Sequence, residues 1–484
     1  MIKKITTLML CAVAVVGSPL AHAMDDYVGN ETADPHRRVD AIDKYIKTEM
    51  ARQRVPGLAL VITKYGQPVS IRTYGLANLE HAVPIHPYTL FKSGAVGMQF
   101  TAAAVMLLVE DGKMTLDDSV RKYLPEAPKS WQPITIRQML NHTSGLPATP
   151  NGNFRTDYTE AEFLDILYKE ELNFPAGARW RFSYVDYVAL GFVIKRVTGE
   201  YYADLMTKRI FKPLGMNSAR PISELAVIPN RAAGYELHDG ELLNAEWVSQ
   251  TANSTADGSL YLSPLDYAAW EAGIVKHAIL NPQTWVEIGR PARLASGITY
   301  PYGFGWYLQQ SAGQQVWRHT GSWQGFQTSI IRYLGDGLTI VTLINGGNGN
   351  PAKISRWVAA MIDPKLAQAP ATPIEDREPQ RTSQVKTLLS SIAQGKVAHG
   401  DFTQFAELDF TELMAVYQGM VTPLGSLQEL ALIRRTTLGD DLVYTYRGRY
   451  DKGIIDVHVG YASNGKIGNL DIFPVDDWLA PIQE

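Results

Sequence analysis

Between Phe100 and Glu110 the chain reads Phe-Thr-Ala-Ala-Ala-Val-Met-Leu-Leu-Val-Glu, apolar around most of a helical circumference and stopped by Gly112. A helix with no polar face has to be covered on every side, so this segment calls for a large domain packed around it. The 484 residues exceed one ordinary core and allow two or three domains, which we read as two of unequal size. With 45% hydrophobic and 19% charged residues the chain has the composition of a folded protein, not of a disordered one.

Around that helix the periodicity predicts a helix over 39–51 and a hairpin of strands 58–63 and 69–74 joined by Lys64-Tyr65-Gly66-Gln67. Further helices are expected at 136–141, 160–168, 185–197 and 203–211. A second hairpin, 326–333 with 338–345, turns at Gly335-Asp336-Gly337. Strands therefore lie at both ends of this region and helices between them. The stretch 364–384 holds four prolines and few apolar residues, the profile of an extended linker. Beyond it a helical segment and strands at 429–436, 442–450, 454–461 and 467–473, the last two turning at Asn464-Gly465, predict a small α+β module.

The first residues read as an export leader over 1–23: Lys3 and Lys4, an apolar run 5–16, then Ala21-His22-Ala23 before Met24. That run is short for a membrane span, and Cys11 lacks the small residues of a lipidation box, so a periplasmic or secreted protein without a stable membrane anchor is expected; an uncleaved signal anchor is the alternative. Cys11 is the only cysteine. Once the leader is gone, disulfides and thiol catalysis are excluded. The formal charge of −4, without a long basic run, makes nucleic acid a poor partner. Ten histidines without paired spacing offer no metal site, and no cofactor is expected.

The run from Phe91 to Lys113 resembles the opening of the active-site helix in serine β-lactamases, penicillin-binding proteins and related esterases, close to the class C β-lactamases. His142-Thr143-Ser144-Gly145-Leu146, Pro175 to Trp180, Tyr187-Val188-Ala189-Leu190-Gly191 and His319-Thr320-Gly321 agree with that family in order and spacing. The resemblance spans 40–362 and implies an α/β (α+β) fold with an antiparallel sheet and a helical subdomain, here 24–363, followed by the linker and a small domain over 385–484. In the family the helix opens with Ser-x-x-Lys, a nucleophile activated by the lysine one turn later. Registered on Phe91, Gln99 and Phe100, this chain places Ala95 at the serine and Met98 at the lysine. A methyl group cannot attack a carbonyl, and a thioether accepts no proton at neutral pH. The second motif, Tyr-x-Asn in the family, falls on Phe182-Ser183-Tyr184. The third survives as His319-Thr320-Gly321 with Ser322 next, and the resemblance implies that the main-chain N–H groups of Ala95 and Ser322 form an oxyanion hole. Methionine fills a lysine stem's volume and phenylalanine a tyrosine's, so the pocket stays packed while its polar groups go.

Ser93 invites a register shift, but Val96 three residues on is no base, and a bond to backbone suits Ser93 better. Ser144 and Ser183 read as structural hydroxyls. His319 is read as a ligand contact or a structural histidine before a base for water. Tyr184 and Asp186 line the pocket or belong to the core, and Trp317 and Trp323 form a stacking wall or plain packing. The expectation is an inactive homologue whose cleft, lined by Ala95, Met98, Phe182, Tyr184, His319, Gly321 and Ser322, binds a small-molecule or peptide-like amide or ester. The alternatives are a weak hydrolase of esters, amides or β-lactams using His319 or Tyr184, and an interaction protein acting through its C-terminal module. That module resembles, more weakly, cystatin-like or NTF2-like domains.

Overall fold

The computed structural model describes residues 35–475 apart from 368–370, 404–406, 440 and 463; the leader read over 1–23 lies outside the described residues. Its main sheet has seven antiparallel strands: β1 (Gly57–Lys64), β2 (Gln67–Asn78), β3 (Val83–Pro84), β4 (Tyr307–Ser311), β5 (Gln314–Trp323), β6 (Phe326–Tyr333) and β7 (Leu338–Ile344). The spatial order is β4-β5-β6-β7-β1-β2-β3. Both ends of the region therefore meet at the seam where β1 pairs with β7, Val61 opposite Val341.

Why β1 sits in the middle follows from its side chains. Leu58, Leu60 and Ile62 pack on one face of the sheet, Ala59 and Val61 on the other, and a strand apolar on both faces has to be covered on both. The first face carries α1 (Pro35–Gln53) and α5 (Pro351–Ile362), which contribute Ile42, Ile46, Ile354 and Val358. The opposite face carries the helices that frame the site: α2 (Met98–Glu110), α3 (Tyr184–Thr198) and α4 (Pro264–Val275). As its sequence requires, α2 is buried from Met98 to Leu108.

Helix 203–211 differs from expectation. The α-helical part is Tyr202–Met206, and the chain continues as a π-helical turn, Thr207–Phe211. Pro213 lies in the single α-helical turn that follows, Lys212–Leu214; lacking an N–H, it donates nothing back to the regular ladder.

After 370 the extended stretch runs only to 378. Pro379 opens a helix, Pro379–Ala393, a position where its missing N–H is unused. This helix and Glu407–Val421 accompany a sequentially ordered antiparallel sheet, Leu427–Leu438, Asp441–Tyr450, Gly453–Tyr461 and Ile467–Val475. Their core, with Leu389, Leu432, Tyr446, Val457 and Leu470, contains only residues from 385 onward. Arg179 of the first region pairs with Asp441 of this module. Among the described residues no helix is long and apolar enough to cross a membrane.

Candidate functional site

Three backbone segments meet at the opening of α2. A small sheet of Phe91–Lys92, Leu260–Leu262 and Arg220–Pro221 pairs Phe91 with Leu262 and Lys92 with Tyr261. The Ser93 N–H then donates to Leu260 O at 2.9 Å. This clip brings Asp257-Gly258 onto Gly94-Ala95. On the other side lies β5, whose Gly321 is so close that a Cβ there would come within 2.8 Å of Ala95 N. Gly94 and Gly258 adopt φ values of +52° and +125°, and Cβ atoms on them would strike Ser322 N and Gly94 O respectively. Side chains are excluded from these contacts, which leaves main-chain groups at the floor of the cleft.

Above that floor is a cavity of about 340 Å³ lined by Ala95, Ser322 and Tyr184 and walled by Phe154, Tyr158, Phe163 and Trp323. The wall loops brace one another: Ser249 N–H donates to Phe154 O at 2.7 Å, and Tyr158 N–H to Thr251 Oγ1 at 2.9 Å. Phe154 meets Trp323 edge-on at 6.0 Å.

The sequence-derived residues divide clearly. Ala95, Tyr184 and Ser322 line the cavity, as does Trp323. Met98 is fully buried in the core, Phe182 packs against that core, and neither lines the cavity. Gly321 acts through its closeness to Ala95 rather than as a lining residue. His319 is 2% exposed: its Nδ1 bonds to Thr320 O at 2.7 Å, and its Nε2 meets Tyr302 Oη at 3.1 Å. The carbonyl can only accept, so Nδ1 carries the proton and Nε2 accepts from the tyrosine. Burial pushes the imidazole down to about 4. Along a strand, side chains alternate between faces, so those of His319 and Ser322 cannot share one. His319 is thus placed as a structural histidine rather than a ligand contact. Trp317 belongs to the core.

Asp186 lies behind the cleft, fully buried, with Oδ2 2.9 Å from His142 Nδ1. Burial pushes the carboxyl up and the imidazole down, which favours the uncharged pair. The remaining serines hold backbone: Ser93 Oγ donates to Gly258 O at 2.7 Å, Ser183 Oγ caps α3 and donates to Pro147 O at 2.6 Å, and Ser144 Oγ accepts from Leu146 N–H.

Sequence reasoning missed Asp257. It is the only Asp, Glu, Lys, Arg or His among the residues lining the cavity. Burial pushes its carboxyl up to about 6, and burial with Asp257 nearby pushes the Tyr184 hydroxyl up to about 12. A raised carboxyl pKa stabilises the fold only while the group is protonated. That contribution is complete below the ordinary value of 3.8 and is lost as pH rises through about 6. We expect Asp257→Asn to melt with the parent at pH 4 and above it at pH 8, by the equivalent of roughly 2–3 kcal/mol. Calorimetric scans at the two pH values check this, and equal melting at both refutes the raised carboxyl.

Comparison with known proteins places this geometry. Residues 42–362 match the β-lactamase family model. Penicillin-binding protein 4* of Bacillus subtilis is 30% identical over 293 residues, 56% of this chain and 64% of that protein. Unguisins hydrolase ungD' of Aspergillus campestris is 27% identical over 67% of this chain and 65% of its own length. The chain thus spans slightly less than two thirds of these relatives. The octameric penicillin-binding protein homologue from Pyrococcus abyssi superposes with a TM-score of 0.60 at 21% identity, covering 91% of this chain and 96% of that one. This likeness shows a shared fold: a mixed α+β architecture built on a large antiparallel sheet. On the match over 42–362, the chain belongs to the β-lactamase family.

Proposed function

We propose that the chain is an exported, non-acylating member of its family that binds a peptide-like, amide- or ester-bearing ligand in the Ala95 cleft. The observation that carries this reading is an open cavity whose floor presents main-chain groups of Ala95 and Ser322 while its helix opening presents a methyl group. The motif register places the family's serine and lysine on Ala95 and Met98. Lysine and histidine are both missing from the lining residues, so no hydroxyl there has either as a base. Main-chain N–H groups that no longer serve a covalent step still suit a carbonyl oxygen.

Two further facts favour binding in the cleft over the alternatives. With both ring nitrogens engaged, His319 offers water no free base, and the Tyr184 hydroxyl stays protonated at neutral pH. Met98 and Phe182 turn into the core and leave the cavity open, which argues against an inert cleft beneath an active C-terminal module. Export rests on the leader residues Lys3, Lys4 and Ala21-His22-Ala23.

The test is intact-mass measurement after incubation with benzylpenicillin and, separately, with a fluorophosphonate probe, an active serine β-lactamase being labelled alongside. The expected result is unmodified protein. A stoichiometric adduct on Ser93, Ser183 or another serine would overturn the reading and make the chain a hydrolase with a displaced nucleophile.

A further inference from the structure

The lining of the cavity carries a charge pattern that the cleft's ancestry does not explain. Asp257 faces the cavity, and no lysine, arginine or histidine lines it. Lys92, close by in sequence to Gly94, is taken by Glu224 at 2.8 Å and by Gln324. Around Asp257 stand Thr255, which hydrogen-bonds to it, and the phenols of Tyr184, Tyr201 and Tyr202; all are neutral groups at pH 7. The walls are the faces and edges of Phe154, Tyr158, Phe163, Tyr184 and Trp323. A lone carboxylate among aromatic rings attracts an ammonium twice over, by direct charge pairing and through the negative ring faces. A ligand carboxylate would meet like charge in a setting of reduced dielectric, with no cation to offset it.

Deepening the binding function proposed above, and resting on it, we infer that the cleft selects cationic, amine-bearing aromatic or aliphatic ligands, the ammonium pairing with Asp257 and the ligand's carbonyl group lying against the Ala95 and Ser322 main chain. The placement is set by the backbone: Gly258 presses on Ala95, with a hypothetical Cβ 3.2 Å from Ala95 Cα, so Asp257 is carried immediately beside the carbonyl subsite. Carboxylate and carbonyl subsites are thus neighbours, and a ligand spanning both carries its amine only a few bonds from its carbonyl. An aminoacyl amide or ester has that form, whereas an anionic acylamino acid does not.

Calorimetric titration of the mature chain at pH 8 with three matched probes tests this: phenethylammonium, its neutral N-acetyl analogue, and 3-phenylpropionate. We expect saturable binding of the cation, at least tenfold weaker binding of the neutral analogue, and none of the anion. The cation's advantage should shrink at least tenfold in Asp257→Asn, and in the parent as the pH falls from 8 to 4.5 and the carboxylate is protonated. The pH series reads the same group without a mutation, so a misfolded variant does not leave the question open. If the neutral analogue binds as tightly as the cation, the cleft still binds ligands but charge selection is refuted. If no probe binds and a wider set of neutral amides also fails, the binding function itself falls.

Discussion

Gly258→Ala should destabilise the protein by about 2–6 kcal/mol and abolish ligand binding in the cleft. Gly258 sits at φ +125°, a conformation that side chains rarely adopt, and holding a non-glycine residue in such a region costs of order 1–3 kcal/mol. The added methyl has no room either. It would overlap the carbonyl oxygen of Gly94 and lie 2.6 Å from its carbonyl carbon, and both are backbone atoms of the segment that opens α2. Forcing extra carbon into such a contact costs about 1–3 kcal/mol more. Relief requires the 257–259 strand end to draw away from Gly94-Ala95, which breaks the Ser93 Oγ bond to Gly258 O and moves Asp257 off the carbonyl subsite. Urea denaturation measures the stability loss, and titration with phenethylammonium measures the site. Gly465→Ala is the control. It also has positive φ, but no heavy atom lies within 4 Å of the added carbon, so it should lose less stability and keep the cleft intact. Similar losses in both variants would show that φ alone, and not contact with the α2 opening, governs Gly258.

The sequence reveals elements where one physical demand dominates and hides them where several agree weakly. Helix α2 was legible because an apolar circumference admits only a buried helix, and the β6–β7 hairpin because two apolar runs flank Gly335-Asp336-Gly337. Helix α4 was not anticipated, although its start is written in Ser263-Pro264-Leu265-Asp266: Ser263 and Asp266 form a reciprocal capping box, with proline at the first turn. Its apolar residues surround it, so no amphipathic stripe drew attention.

The site shows the same contrast. Motif register located Ala95, Tyr184 and Ser322, since each is fixed by local chain order. It left His319 between ligand contact and structure, because that choice depends on which face of β5 the side chain takes. Asp257 was invisible for another reason: Asp-Gly in a polar run reads as a turn, and only the pairing of Lys92 with Tyr261 brings it to Ala95. Long-range pairing of that kind leaves no periodic trace in either segment.

What keeps these pieces in register is a buried ion pair, and its loss should be felt at the site. Glu271 on α4 is 1% exposed; its Oε2 accepts from Arg332 Nε of β6 at 3.0 Å and from Thr339 Oγ1 of β7 at 2.8 Å. The Arg332 guanidinium also lies over the rings of Trp306 and Trp317, 5.7 and 5.6 Å from their centroids. One residue earlier on the same helix, Trp270 Nε1 donates to Gln99 Oε1 of α2. Helix α4 therefore ties α2 to the sheet whose strand β5 supplies Ser322. Glu271→Gln keeps the volume and removes the charge, which isolates the electrostatic effect from any cavity. Stranding Arg332 in the interior should cost about 3–5 kcal/mol, because a buried charge without its partner has neither water nor a counter-ion. Pairing the change with Arg332→Met should recover most of the loss, since the combination removes both charges and leaves apolar atoms among tryptophans. Denaturant midpoints of the two single variants and the double variant supply the cycle. A double variant no more stable than Glu271→Gln would mean that the arginine's stacking on Trp306 and Trp317, rather than its charge pairing with Glu271, holds α4 to the sheet.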